Sequence, residues 1–267
     1  MAAPERKPGF AFGFSHLFRG LRFAYVEHRE LAALFLPPMI IGVLLLIAGF
    51  VVFAHVADDI VGLVWSEPRN AALHLLWSLV SFFVWIACAA ATAVIVAVAT
   101  MIASAPFSDA MSERVEVALG TWTPRPFCAR FLLRDLWHTV ALELRRVLIK
   151  AAWFVPLFLA SVVVPVVGQA LYVCLGGYLL AKLLGMDYVD WSLARRGYSW
   201  RERLAFAKAH RAALVGFGAA VALALLVPLG FVAVWPGAVA GGTILCTRLG
   251  PEDRRAPQAG GRRDGTR

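Results

Sequence analysis

Two long stretches without a charge constrain this chain more than anything else in it. Leu31–Ala54 is a run of 24 residues that contains no Asp, Glu, Lys or Arg. At 1.5 Å per residue, such a helix crosses a hydrocarbon core of about 30 Å with some tilt. Pro37 and Pro38 stand near its start, where a missing amide proton costs least. Trp77–Ala103 is a second run, of 27 residues, Ala-rich and free of Pro and Gly. It reads as one tilted spanning helix, with Ala87, Ala91 and Ala97 small enough to let a neighbour approach closely. The segment between them, 58–70, carries Asp58, Asp59 and Glu67 against a single cation, Arg69, and reads as a connector.

Composition agrees with a bilayer as solvent. Hydrophobic residues make up 60% of the 267, charged residues only 16%, and mean hydropathy is +0.72. Nine tryptophans suit membrane interfaces, where the ring is buried and the indole edge stays wet. The formal charge of +9 would suit a nucleic-acid binder only if it lay on a folded polar face, whereas here it lies between apolar runs. Of the four cysteines, Cys88, Cys174 and Cys246 sit within apolar runs and Cys128 in a polar segment. None forms a CxxC pair, so no disulfide framework or zinc site is expected, nor any metal or cofactor. Phe10–Val26 is interrupted by Arg19 and Arg22, which leaves no apolar core for a cleavable signal.

The remainder is helical in pattern. Phe10, Phe14, Leu17, Phe18, Leu21 and Tyr25 share a face, which reads as a helix lying on the membrane surface; a packing helix has the same pattern. In 104–150, Leu133, Leu136, Trp137, Val140, Leu144 and Val147 oppose Arg130, Arg134, His138 and Arg145, as in a solvated or headgroup-facing helix. Two further uncharged stretches follow, 31 residues between Lys150 and Lys182 and 36 between Arg211 and Arg248. The first contains Pro156 and Pro165-Val166-Val167-Gly168, the second Pro228, Pro236 and Gly237. Lysines plus arginines number five, one, seven, seven and six in segments 1–30, 58–70, 104–150, 182–211 and 248–267. Only 58–70 is poor in cations, so the positive-inside rule returns both late stretches to the cytoplasmic side as hairpins folded at their prolines. The first hairpin's arms, 151–164 and 169–184, would be about 21 and 24 Å long, and either dip into the bilayer or cross it completely. The expected fold is an all-α membrane protein with two long transmembrane helices, two Pro/Gly-broken hairpins and amphipathic surface helices. Residues 1–249 would form one membrane domain and 250–267 a disordered basic tail. Both termini are expected on the cytoplasmic side of a bacterial inner membrane.

Three motifs carry a resemblance. Ile102-Ala103-Ser104-Ala105-Pro106-Phe107, followed by Glu113 and Glu116, resembles the I-A-x-P-F-N…L-x-E-x-x-E stretch of the CysZ family, related to the etoposide-induced membrane proteins. Pro165-Val166-Val167-Gly168-Gln169 is similar to that family's P-G-I-G-Q at a hairpin turn, and the segment Pro236–Thr243 to its P-x-A-V-x-G-A-T. The resemblance implies two spanning helices, two partly inserted hairpins, a homo-oligomer and passage of sulfate for cysteine synthesis. The family's G-[IL]-R-R-F arginine pair falls here on Leu31 and Ala32.

Candidate residues follow from these readings. Arg29 reads either as an anion-binding cation or as a headgroup-facing charge paired with a neighbouring Glu. Gln169 either satisfies turn backbone or meets a solute. Glu113 and Glu116, with Arg114, are expected to form pairs between helices at the membrane surface. Pro106-Phe107 is expected to end the second spanning helix. Pro165, Gly168, Pro228 and Pro236 are structural. No catalytic constellation appears, so the chain is not expected to be an enzyme. A small-anion permease and a non-transport scaffold or envelope-biogenesis factor are the two readings in play.

Overall fold

The structure, a computed structural model, describes the backbone of residues 8–68, 70–123, 129–227 and 230–251. The described residues are mostly helical, joined by short turns, with no strand among them. The helices are α1 (Phe10–Arg22), α2 (Arg29–Ala33), α3 (Leu36–Val64), α4 (Ala71–Ala118), α5 (Ala129–Val163), α6 (Pro165–Leu171), α7 (Gly177–Arg195), α8 (Trp200–Ala209), α9 (Arg211–Leu225) and α10 (Gly230–Arg248). Single π-helical turns, Phe23–Glu27 and Tyr172–Gly176, follow α1 and precede α7. Three described helical stretches are long and apolar enough to cross a membrane: Arg29–Val64, Leu73–Ala118 and Val166–Arg195. This is an all-α, multi-pass membrane protein. The chain divides into two compact units, described in turn.

One unit holds residues 35–107 and 129–147. Here α3 and α4 form an antiparallel pair. Gly42 faces Thr100, Gly49 faces Thr92 and Val96, and the Phe53 and Trp85 rings meet edge to face at 4.9 Å. At the far end the Trp77 indole donates to the Trp65 carbonyl at 2.9 Å. Phe50, Phe83, Ile95 and many other apolar side chains point outward, as lipid contact requires. Ala87, Ala91 and Ala97 are exposed too, so the close approach uses Thr92, Val96 and Thr100 instead. The helix α3 also outruns its charge-free stretch. Asp58 and Asp59 lie in its last turns, not in a loop, and the Trp85 indole donates to the Asp58 carboxylate at 3.2 Å. A carboxylate with an indole donor is tolerated where a bare one would end the span.

The other unit holds residues 1–34, 108–128 and 148–267. Its core lies among α1, α7, α9 and α10, around Leu17, Val189, Phe217, Val221, Val239 and Leu245. Glycine sets the spacing of these helices. A Cβ on Gly13 would collide with the Ala213 carbonyl of α9, and one on Gly20 with the backbone of Gly237 and Gly241 of α10. Helix α1 is therefore a packing helix, with Gly13, His16, Leu17 and Gly20 buried. Phe10 and Phe18, which the apolar periodicity assigns to the same face as Leu17, are exposed. In α1 the His16 Nδ1–H donates to the Phe12 carbonyl at 2.6 Å, and burial lowers the imidazole's pKa from its ordinary value.

The first hairpin folds at Val164, whose φ of −122° and ψ of 83° break the helix immediately before Pro165. Its arms pair in sequence: Gly168 against Ala160 and Ser161, Tyr172 against Phe158, Gly176 against Leu157, and Asp187 against Lys150 at 2.6 Å. The returning arm extends well beyond residue 184, as one stretch from Val166 to Arg195 of about 45 Å. A Cβ on Gly168 would stand 2.7 Å from the Ser161 Cα. Gly168→Ala is expected to force the arms apart and cost about 1–3 kcal/mol, read as a lowered thermal unfolding midpoint of the purified protein. An unchanged midpoint would show that this turn has room to spare.

Two prolines do not break helices as the sequence suggests. Helix α4 continues past Pro106-Phe107 to Ala118. Beyond the proline, Ser108, Met111, Ser112, Val115 and Glu116 form a buried stripe at helical spacing. That burial offsets a proline cost of about 3 kcal/mol. Gly120 ends the helix instead: its φ is 68°, its amide donates to Val117, and the Thr121 amide donates to the Glu116 carbonyl, both at 2.9 Å. Pro236 likewise lies inside α10, fully buried, and not at a turn. Pro228, the 252–267 part of the tail and the side chains of the 130–140 stripe lie outside the described residues.

Candidate functional site

The ends of α4 and α7 bring together the densest set of buried charges among the described residues. Helix α7 terminates in Arg195 and Arg196, followed by Gly197 at φ 83°. The Gly197 amide donates to Ala194 at 3.0 Å and the Tyr198 amide to Leu193 at 3.1 Å. This closed C-terminus fixes the direction of both arginines, and cations there also suit the helix dipole. A capping box then starts α8: the Ser199 amide donates to the Glu202 carboxylate at 2.8 Å.

Glu116 of α4 has no solvent exposure. Its Oε2 accepts from Arg195 Nη2 at 3.0 Å and Nε at 3.2 Å, and its Oε1 from Arg196 Nη2 at 3.0 Å. A carboxylate so placed is stable in a protein interior because charge-assisted donors replace its water. The rest of the Arg195 guanidinium is also engaged. Its Nη1 donates to the Asp109 carboxylate and, at 3.1 Å, to the Asp109 carbonyl. Its Nη2 donates to Ser112 Oγ at 2.6 Å. The hydroxyls beyond have a fixed order. Thr243 Oγ1 gives its proton to the Val239 carbonyl at 2.8 Å, so the bond at 2.8 Å between Ser112 and Thr243 has Ser112 as donor. The chain runs Arg195, Ser112, Thr243, Val239, and ties α7 through α4 to α10.

Exposure is graded across the cluster. The Glu116 side chain is 0% exposed, Arg196 8%, Arg195 10% and Asp109 49%. The two arginines and two carboxylates balance in formal charge. Buried Asp190 meets Arg203 Nη1 at 3.0 and 3.2 Å, and Arg203 Nε donates to the Tyr198 carbonyl at 2.8 Å, which holds α8 against the end of α7. No group of His, Cys, Asp and Glu among the described residues could hold a metal ion.

Of the residues singled out from sequence, Glu116 lies at the centre of this cluster. Its partners are on α7, not Arg114 beside it. Glu113 accepts from the Trp122 indole at 3.3 Å. Arg29 is exposed at the start of α2, and neighbouring Glu30 pairs with His28 at 3.1 Å. Gln169 is exposed on α6 and Pro165 opens that helix. Sequence reading counted Arg195 and Arg196 only as inner-loop charges and left Asp109, Ser112 and Thr243 unweighed. The available signal was an Arg-Arg-Gly helix ending, with Asp109, Ser112 and Glu116 at i, i+3 and i+7 on one face of α4.

Long apolar helices and a proline-broken hairpin define a polytopic membrane protein, with a buried arginine–carboxylate cluster where α4 and α7 end. A family model described as "Sulfate transporter CysZ/Etoposide-induced protein 2.4" matches residues 16–236, and the chain belongs to that family. It is 35% identical over 159 residues to the "Sulfate transporter CysZ" of Pseudomonas paraeruginosa (strain DSM 24068 / PA7), covering 56% of this chain and 61% of that relative. It is 30% identical over 195 residues to the protein so named in Pseudomonas fluorescens (strain Pf0-1), covering 69% of this chain and 75% of that one.

Proposed function

We propose that this chain is a permease for sulfate or a similar small oxyanion, serving sulfur assimilation. The observation that carries the reading is the Arg195–Arg196 pair, two cations held inside a membrane protein whose relatives are named sulfate transporters. Planar guanidinium groups suit oxyanions because two N–H bonds match two oxygens. In this reading the protein sits in the inner membrane with both termini cytoplasmic, acts as a homo-oligomer, and has no enzymatic step. Arg29 and Gln169, both exposed, are proposed as contacts on the anion's approach.

The test is uptake of radiolabelled sulfate into proteoliposomes holding the full chain. Uptake several-fold above empty vesicles is expected, reduced to near background by Arg195→Ala. No uptake by folded wild-type protein removes the reading. A second reading, a non-transport scaffold, is favoured by the charge balance of the cluster, which also suits a structural clamp between α4 and α7. Deleting the gene separates the two. Growth restored by cysteine supports the permease, and an envelope defect that cysteine leaves unchanged supports the scaffold.

A further inference from the structure

The three side chains that hold Arg195 differ in how easily each can leave. Glu116 is sealed from solvent and holds both arginines, so its departure would strip buried Arg196 of its carboxylate and leave Arg195 with Asp109 alone. Ser112 is buried and committed as donor to Thr243. Asp109 is different: its side chain is about half exposed, and it caps the one guanidinium nitrogen, Nη1, that neither Glu116 nor Ser112 holds. An exposed ion pair is worth little, because water solvates its separated partners well. The guanidinium itself is nine-tenths buried and fixed along its Nε–Nη2 edge, so losing Asp109 would not release it.

We propose that Asp109 is a tethered stand-in for the transported anion, which binds Arg195 Nη1 by displacing the Asp109 carboxylate while Glu116 and Ser112 hold the guanidinium still. The proposal deepens the permease reading and rests on it for the anion's class. A carboxylate and an inorganic oxyanion offer an arginine the same acceptor geometry, so one replaces the other without rebuilding the site. Withdrawing the Asp109 carboxylate removes one negative charge from beside the Arg195 guanidinium, which favours an anion in its place. Because every entering anion must compete with a covalently attached rival, the bound state stays weak enough to release its cargo, as a conducting site requires.

Removing the rival should tighten binding. Sulfate affinity of the purified full-length protein is measured by isothermal titration calorimetry, in wild type and in Asp109→Asn. We expect Asp109→Asn to bind sulfate about tenfold more tightly, Asp109→Glu to stay near wild type, and Arg195→Gln to lose binding. Glu113→Gln, four residues along the same helix, removes an equal charge that does not touch Arg195 and should change affinity less than twofold. Equal affinity in Asp109→Asn and wild type overturns the proposal, as does equal tightening in Glu113→Gln. Should Asp109→Asn fail to fold, Asp109→Ser is read by the same criteria. Binding and flux fail separately. Wild-type uptake with no Asp109→Asn effect rejects the stand-in and leaves the permease, whereas tightened binding without uptake keeps the stand-in and rejects the permease.

Discussion

Glu116→Ala is expected to be the most damaging single substitution in this protein. It leaves Arg195 and Arg196, which are 10% and 8% exposed, without the carboxylate that both share. Removing one partner of a buried ion pair costs about 3–5 kcal/mol, because the remaining charge must stay desolvated or pull the structure open to water. Here one change takes from Arg196 the carboxylate it holds and leaves Arg195 with only the half-exposed Asp109, so the upper part of that range is expected. Thermal unfolding of the purified protein, with recovery from the membrane as a second reading, measures it. Glu116→Gln, which keeps an acceptor oxygen but not the charge, should fall between Ala and wild type. Replacing Glu116, Arg195 and Arg196 together with apolar residues of similar volume should restore much of the lost stability, since nothing charged is then buried. Equal stability of Glu116→Ala and wild type would mean that water reaches both arginines.

The second large effect comes from the smallest substitution. Gly218 of α9 rests against the backbone of α7. A Cβ there would collide with the Ala181 carbonyl and stand 2.6 Å from the Gly185 amide nitrogen. Flexible side chains relieve such overlap by changing rotamer, but a helix backbone cannot, so α7 and α9 must separate. Overpacking a core costs about 1–3 kcal/mol, and with backbone on both sides Gly218→Ala is expected at about 3 kcal/mol. Gly62→Ala in α3 provides the contrast. Nothing lies within 4 Å of its added Cβ, so the substitution should be neutral or stabilising by up to about 1 kcal/mol through helix propensity. Both are read as shifts of the unfolding midpoint. If the two behaved alike, close helix approach would not be what makes Gly218 necessary.

The sequence by itself determined the solvent. Charge-free runs of 24 and 27 residues leave a bilayer as their natural surroundings, and the α3–α4 pair follows from them. It also placed the first hairpin's fold at Pro165, because proline disfavours helical geometry in the residue before it and Val164 takes that break. The same rule misled at Pro106 and Pro236. Local preference there is worth about 3 kcal/mol, less than the burial gained by carrying the stripe of α4 on to Glu116 and by seating Pro236 in the core. Periodicity found α1 but assigned its inner face by hydrophobic size. Packing chose glycine instead, because backbones approach most closely where no side chain intervenes, and that choice depends on which helix lies opposite.

Charge proved the least legible. Counting cations by segment treats Arg195 as one more solvated inner charge. Only the tertiary structure shows that Arg195 is buried beneath Asp109 and held by Glu116, 79 positions earlier in the chain. The reason is physical: an arginine's environment is set by what folds against it, and the carboxylate that makes its burial affordable lies on another helix.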